Sequence, residues 1–166
     1  MIATLGDADS LLEVGIGNRP GVARELSTRG CAVVAIDLTI GERTRETASA
    51  VPTSLTEISA HSPGSVRVVE ADIHTLVQSD RNSPPTSNSP SPSGPDDTPC
   101  AVGFDAVYGC HVPAELQRLM VTLARQLGAD CVFTTLGFEE PVVPVERLTR
   151  PHSTLYRACT PPDAPY

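Results

Sequence analysis

The chain has 166 residues, 40% of them hydrophobic and 4% aromatic, and it contains no tryptophan. That length fits one domain with a core of aliphatic side chains, and no apolar run approaches the ~20 residues of a membrane-spanning helix. The formal net charge is -8, all twelve basic residues are arginine, and no basic cluster exceeds a pair of arginines, which argues against a broad nucleic-acid surface.

The acidic, lysine-free composition also bears on the source and compartment. It suits a cytosol with molar salt, where screening weakens self-repulsion, and so favours a halophilic archaeal source; a GC-rich genome also favours arginine. The first nine residues carry no basic side chain and predict no secretory signal. The cysteines are odd in number with no Cys-x-x-Cys pair, which favours a reduced, cytoplasmic protein with small buried thiols. Metal binding by Cys110, His111 and a distant cysteine has no ligand spacing in its favour.

The first third of the chain predicts a strand, a helix and a second strand. Residues 10–15 are an apolar run typical of a buried strand, and residues 20–29 predict a helix with Pro20 in its first turn. Gly30 follows as a helix stop. Residues 32–37 are a near-continuous apolar strand of the kind found in parallel sheets covered on both faces.

The middle of the chain is weaker in pattern. A weakly amphipathic helix is predicted over 42–60, and residues 66–70 predict a third strand that leads to Asp72. Residues 79–99 contain Ser, Pro, Asn, Asp, Thr and Gly with almost nothing apolar, so they cannot bury enough surface to order themselves. We expect this segment to be a disordered insert within one domain that spans residues 1–166.

Regular patterning resumes in the last third. Residues 104–108 predict a fourth strand, residues 131–136 a fifth, and residues 153–158 a closing strand, for which an antiparallel direction is one alternative. Residues 160–166 are expected to fray. Between the fourth and fifth strands, Pro113 opens a helix that Gly128 stops, and one face of that helix carries Leu116, Leu119, Met120, Leu123 and Leu127.

Alternating strands and helices predict an α/β fold. We expect a Rossmann-like open sheet, mostly parallel, of about five to six strands with helices on both faces.

Two glycines, Gly15 and Gly17, follow the first strand where the chain enters its helix. A strand that stops in a glycine turn at a helix N-terminus offers backbone N–H groups to a ligand, and Asp37 at the tip of the next strand lies where a ribose would sit. Glu13 ends an apolar strand, where an uncompensated charge is costly. We expect it to accept hydrogen bonds from the glycine turn or from a ligand's cationic amino group. A tight strand–helix connection without a ligand is the alternative.

The segment Glu13-Val-Gly-Ile-Gly, followed by the strand-ending Asp37, resembles the opening motifs of Rossmann-like methyltransferases. The resemblance implies that the turn meets the amino-acid part of S-adenosylmethionine and that Asp37 holds the ribose hydroxyls. It also implies that Asp72 lies near the adenine amino group. A helix cap explains Asp72 equally well.

The end of the fourth strand departs from that pattern. Amino-methylating relatives carry an Asn- or Asp-Pro-Pro-aromatic motif near this point, and this chain has none. His111 is either a general base at the carboxyl edge of the strand or a cap or solvated turn residue, and we assign no catalytic residue from the sequence.

A narrower resemblance covers roughly residues 8–38 and 102–158. The segments Glu13-Val-Gly-Ile-Gly-Asn-Arg-Pro-Gly, Pro113-Ala-Glu-Leu-Gln-Arg and Leu155-Tyr-Arg are similar to a small uncharacterised archaeal family with a shortened methyltransferase-like fold. This chain has Val112-Pro113 where the family has a Pro-Pro pair, and it adds the Ser/Pro-rich segment. The resemblance implies a fold and an S-adenosylmethionine-type cofactor, without a substrate.

Three functional hypotheses stay open. The first is a small S-adenosylmethionine-binding protein, a methyltransferase if it turns over, with a small-molecule cofactor and no membrane contact. The second is a non-catalytic Rossmann-like scaffold whose helix after Pro113 meets an unidentified protein partner. The third is an NAD site. Two features argue against it: the third glycine, Gly21, comes one residue later than the dinucleotide fingerprint needs, and Glu13 has no obvious use near a pyrophosphate.

Overall fold

A computed structural model describes residues 1–48, 63–79, 103–137, 139–150 and 153–159 of the chain. Its helices are α1 (Ile2–Leu5), α2 (Gly21–Thr28), α3 (Glu42–Thr47), α4 (Ile73–Ser79) and α5 (Ala114–Gln126). Its strands are β1 (Ser10–Val14), β2 (Ala32–Asp37), β3 (Val66–Glu70), β4 (Ala106–Val112), β5 (Asp130–Thr135), β6 (Val145–Arg150) and β7 (Ser153–Ala158).

The described strands form one seven-stranded sheet in the order β3-β2-β1-β4-β5-β7-β6. Strands β1 to β5 pair in parallel, and β7 pairs antiparallel with both β5 and β6. The predicted Rossmann-like, mostly parallel sheet is confirmed, with more strands than predicted. Strand order reverses between β1 and β4, and open α/β sheets bind ligands at the carboxyl ends of the strands beside such a switch point.

Helices cover both faces of the sheet, as predicted. Residues of β1 and β2 alternate between the faces: Leu12 and Val34 pack in the cluster that includes α4 and α5, whereas Leu11 and Val33 pack in the cluster that includes α1 and α2. Every residue of β1 is buried. A central strand buried on both faces is usually apolar throughout. The buried carboxylate of Glu13 in β1 is therefore unusual.

The prediction of five to six strands missed β6. Its sequence, Val-Glu-Arg-Leu-Thr-Arg, has no simple apolar pattern, because an edge strand pairs on one side only and stays largely exposed. β6 lies at the end of the sheet, and the segment between β5 and β6 crosses the α5 face on its way there. The Val142 N–H donates to the buried side-chain oxygen Oε1 of Gln117 at 2.8 Å.

The buried face of α5 is the predicted leucine face together with neighbouring positions. Met120 and Leu123 are buried as predicted, but Leu116, Leu119 and Leu127 are only partly buried. The remaining buried positions of the helix are Gln117, Val121 and Ala124. The predicted leucine face is therefore confirmed as the face that packs on the core, and Val143 of the crossing segment packs on the same core cluster.

β4 also differs from its prediction over 104–108. The strand begins at Ala106 and continues to Val112, and its register against β5 shifts between Gly109 and Val112. His111 lies within this bulge with a φ of 58°, a left-handed conformation that non-glycine residues rarely adopt. Of the positions predicted for His111, the structure thus shows the carboxyl end of the strand, in a bulge.

Three predictions concern segments that the structure covers partly or not at all. The predicted helix over 42–60 begins at Glu42 and ends at Thr47, and most of its remaining length lies outside the described residues. Nearly all of the predicted insert over 79–99 and the tail over 160–166 lie outside them too. That the chain forms a single domain stays a prediction.

Gly109 has no room for a side chain, so a substitution at this position tests how tightly the bulge is packed. A Cβ at this position would lie 2.5 Å from Cγ2 of Val112 and 3.0 Å from Cε of Met120. The Met120 end can move, but the β-branched Val112 cannot easily rotate. We expect Gly109→Ala to lower the free energy of unfolding by about 1–3 kcal/mol, the usual cost of overpacking, in urea titrations.

Gly21→Ala is the matched control, because a Cβ there meets nothing within 4 Å. It should leave the stability unchanged or raise it by up to about 1 kcal/mol, since alanine favours a helix more than glycine does. Equal stabilities for the two variants would contradict the tight packing of the bulge.

Candidate ligand-binding site

The glycine turn after β1 requires glycine at two positions. Gly15 and Gly17 have φ angles of +79° and +51°, the left-handed region that favours glycine. The amide donors of the turn are largely used inside the protein. The Gly15 N–H donates to the carbonyl of Ile36 at 2.9 Å, and the Arg19 N–H donates to the carbonyl of Ile16 at 3.0 Å. The turn is therefore a fixed loop with few free N–H groups.

Asp37 closes this turn. Its Oδ2 accepts a hydrogen bond from the Gly17 N–H at 2.8 Å, and its Oδ1 accepts from the Thr39 N–H at 3.2 Å. The last residue of β2 thus holds the turn that follows β1. An ionised carboxylate has about four acceptor positions, so Asp37 keeps capacity for further donors such as ribose hydroxyls.

Asp72 lies at the start of α4, where its Oδ1 accepts from the His74 N–H at 2.9 Å. This is the hydrogen bond of a helix cap, one of the two interpretations of Asp72. The other concerns a ligand, and Asp72 also lines a cavity of about 160 Å³ at the carboxyl ends of β1, β2 and β3. We call this the β1–β3 cavity.

The β1–β3 cavity brings together Gly15, Asp37 and Asp72. Its other walls are mainly apolar, and Leu38 among them is 71% exposed. An exposed leucine directly after a strand-ending aspartate offers an apolar surface beside a carboxylate. That combination suits a flat heterocycle joined to a sugar.

Glu13 does not line this cavity. Its side chain lies inside the protein, 2% exposed, and its Oε2 accepts a hydrogen bond from the hydroxyl of Tyr108 at 2.8 Å. Glu13 and Tyr108 are register partners across β1 and β4, at the switch point. The structure thus gives Glu13 a partner 95 residues further along the chain, whereas the sequence predicted either the glycine turn or a ligand's amino group as its partner.

Burial governs the charge of this pair. Loss of hydration raises the pKa of Glu13 from its ordinary 4.5 to about 7, against the opposing effect of the Tyr108 hydrogen bond. Burial, followed by the nearby Glu13, raises the pKa of Cys110 to about 11. Cys110 is therefore a neutral thiol at neutral pH, which makes it a poor nucleophile.

A second and larger cavity lies over the carboxyl ends of β4 and β5. It measures about 610 Å³, and its lining includes Cys110, His111, Thr134, Glu139, Arg147 and Tyr156. We call it the β4–β5 cavity. The His111 N–H donates to Oγ1 of Thr134 at 2.8 Å, which fixes the bulged end of β4 against β5. The side chain of His111 is exposed at this cavity, where it can exchange a proton with a molecule bound there.

Two further findings limit the chemistry of the described part of the chain. None of its groups of three or more His, Cys, Asp and Glu side chains is placed to hold a metal ion. Within the same residues no helix is long and apolar enough to cross a membrane.

The four described cysteines, Cys31, Cys110, Cys131 and Cys159, are free, and Cys31 and Cys131 are buried.

Sequence reasoning missed Leu38 of the β1–β3 cavity and Tyr108, the partner of Glu13. Leu38 carried a usable signal, since a large apolar side chain directly after a strand-ending Asp37 is unusual on a surface. Tyr108 carried none, because its pairing with Glu13 depends on β4 lying next to β1, which is a property of the strand order.

The sheet and the position of the β1–β3 cavity place this protein among the Rossmann-like folds of methyltransferases. The crystal structure of an RNA methyltransferase from Salinibacter ruber in complex with S-adenosyl-L-homocysteine matches 99% of this chain and 90% of its own, with a TM-score of 0.52 and 18% sequence identity. Monomeric WbdD matches 95% of this chain and 37% of its own, with a TM-score of 0.51 and 14% identity. These similarities define the fold.

The sequence narrows this class further. Residues 1–59 and 100–159 match the uncharacterised protein family UPF0146, and the chain belongs to that family. UPF0146 proteins from two strains of Halobacterium salinarum are each 36% identical to it over 159 residues, covering 94% of this chain and 92% of theirs. The expected membership of a small family with a methyltransferase-like fold is confirmed.

The buried Glu13 predicts a pH-dependent stability. Between pH 4.5 and about 7 the native state binds more protons than the unfolded state, so the free energy of unfolding falls as pH rises through this window. The full loss is about 3 kcal/mol, at about 1.4 kcal/mol per pKa unit. We expect Glu13→Gln to lack this loss, measured as the difference between the two proteins in urea titrations from pH 4 to pH 9.

Tyr108→Phe is the companion variant. The Tyr108 hydroxyl lowers the pKa of Glu13, so its removal should move the loss of stability to higher pH. Parallel pH profiles for the parent and Glu13→Gln would contradict a carboxyl group that titrates inside the fold.

Proposed function

We propose that this protein binds S-adenosylmethionine at the β1–β3 cavity and the adjoining glycine turn. The observation that carries the proposal is the meeting of Gly15, Asp37, Leu38 and Asp72 around one cavity beside the switch point. Ligands of open α/β sheets bind at this place, and the side chains supply acceptors for hydroxyl and amino groups next to an apolar surface.

In this proposal each residue has a separate task. Asp37 accepts from the ribose hydroxyls while it continues to hold the Gly17 N–H. Asp72 accepts from the adenine amino group with the oxygen that does not cap α4, and Leu38 packs on the base. Gly15 and Gly17 let the backbone approach the amino-acid part of the ligand. Both have a positive φ, at which any residue with a Cβ would be strained.

The hydrogen bonds of the turn favour this ligand over NAD. A pyrophosphate at a glycine turn is held by free backbone N–H groups, and here the amides of Gly15, Gly17 and Arg19 donate to protein acceptors. A nucleoside without phosphate has no such requirement. Glu13, which faces Tyr108 within the sheet, plays no direct part in binding and keeps a fixed, buried contact between β1 and β4.

We further propose that the β4–β5 cavity holds a methyl acceptor. S-adenosylmethionine held by Asp37, Asp72 and Leu38 would supply a methyl group on a positively charged sulfur, which would leave as the neutral sulfur of S-adenosylhomocysteine. The protein's task is to orient the two molecules. His111, exposed at the cavity, takes the proton that the acceptor loses and passes it to water.

Binding of S-adenosylhomocysteine tests the first proposal. Asp37→Ala removes charged hydrogen bonds worth about 1.5–3 kcal/mol, so we expect isothermal titration calorimetry to show binding about 10 to 100 times weaker than for the parent. NAD should give no heat of binding to either protein.

Asp105→Ala is the matched control for that experiment. Asp105 also accepts from backbone amides, those of Asp9 and Ser10 at 2.9 and 2.8 Å, but it does so at the amino ends of β1 and β4. Its loss should lower stability and leave the affinity unchanged. No binding by the parent at millimolar ligand would refute the proposal.

Turnover is tested separately from binding. Radiolabelled S-adenosylmethionine added to an extract of the native host with the purified protein should transfer its methyl group to an acceptor, and His111→Asn should slow that transfer while S-adenosylhomocysteine still binds. Binding without transfer to RNA, protein or small molecules would instead support a non-catalytic module.

A further inference from the structure

A third cavity, of about 340 Å³, lies between the start of α2 and α3. Its lining includes the three arginines Arg19, Arg24 and Arg43, together with Asn18, Glu46 and Thr47. We call it the arginine cavity. The arginines come from separate parts of the sequence, which explains why no basic cluster is visible along the chain.

The charges of these arginines are not used by the described part of the protein. The ion pairs among the described residues involve Arg29, Arg45 and Arg157, and none involves an arginine of this cavity. Glu46 is the single carboxylate in the lining. A local excess of positive charge therefore remains in a chain whose net charge is -8.

The walls of this cavity are fixed in place before any ligand arrives. The carbonyl of Gly17 accepts from the Gly41 N–H at 3.1 Å and from the Thr44 hydroxyl at 2.8 Å. Oδ1 of Asn18 accepts from the Arg43 N–H at 2.9 Å. These hydrogen bonds pin the start of α3 onto the turn that leads into α2, so the two segments that carry the arginines cannot separate easily.

A glycine supports the same arrangement. A Cβ on Gly41 would lie 2.5 Å from Cβ and from Oδ1 of Asn18, so the close approach of the two segments requires glycine at this position. Like charges held together on clamped segments cost stability, and a bound anion would relieve that cost.

We propose that the arginine cavity binds a phosphate group. Guanidinium groups bind phosphate through paired, charge-assisted hydrogen bonds, and three of them here face a cavity with one carboxylate. The arginine cavity shares no lining residue with the β1–β3 cavity, so the proposed phosphate site is separate from the proposed nucleoside site.

The two cavities are nevertheless neighbours, because the short turn from Gly15 to Asn18 connects them. The positive charge of Arg19 also lowers the pKa of Cys110 against the larger effect of burial, so that charge is felt at the carboxyl end of β4.

The test uses the full chain at constant ionic strength with three probes: inorganic phosphate, adenosine 5′-monophosphate and a short single-stranded RNA. Calorimetry should detect binding of at least one probe, and Arg24→Gln and Arg43→Gln should each weaken it about tenfold or more, as expected for loss of a charged hydrogen bond. Glu46→Gln should tighten it, because it removes the opposing charge.

Arg118→Gln is the matched control, since Arg118 is an exposed arginine on α5 outside this cavity. It should bind each probe as the parent does, and thermal unfolding should show that all four variants are folded. Equal affinity for the three probes would define a site for the phosphate group alone. Tighter RNA binding, together with a steep salt dependence when the RNA titration is repeated at several salt concentrations, would identify a polyanion as the source of the phosphate.

Absence of binding by all three probes would overturn the proposal, as would equal weakening in Arg118→Gln. Neither result bears on the β1–β3 cavity, because Asp37 does not line the arginine cavity and the S-adenosylhomocysteine titration reads that site independently.

Discussion

The hydrogen bond from the Gly17 N–H to Asp37 is the contact on which the rest of this edge of the sheet depends. It joins the turn after β1 to the end of β2 at 2.8 Å. The position of this turn sets one wall of the β1–β3 cavity, and through the Gly17 carbonyl it also sets the position of α3 and the arginine cavity. A carboxylate that accepts from backbone amides is well suited to this task, since charge-assisted hydrogen bonds are stronger than neutral ones.

Two aspartates fix the opposite ends of β1 by the same chemistry. Asp37 holds the turn at the carboxyl end, and Asp105 accepts from the amides of Asp9 and Ser10 at the amino end. Between them, the buried Glu13 opposes stability above neutral pH, because its ionised form has lost its water. The stability of the sheet therefore depends on the protonation of Glu13, while the surrounding apolar residues supply most of that stability.

The sequence was most informative where the chain is buried on both sides. β1, β2 and β3 follow from apolar runs bounded by glycine and aspartate, and the glycine turn with Asp37 follows from their spacing. The strand β6, the bulge at His111 and the arginine cavity do not, for one shared reason. Each depends on which elements become neighbours: an edge strand, a register shift against β5, and arginines drawn from the turn before α2, from α2 and from α3. The local pattern of apolar and polar residues does not determine which elements become neighbours.

The crystal structure of the protein with S-adenosylhomocysteine would test the central claim most directly. The account predicts the purine in the β1–β3 cavity against Leu38, the ribose hydroxyls within hydrogen-bond distance of Asp37, and the Gly17 N–H still donating to that carboxylate. A ligand bound away from the carboxyl ends of β1, β2 and β3, or a purine there with Asp37 out of hydrogen-bond distance of the ribose, would contradict it.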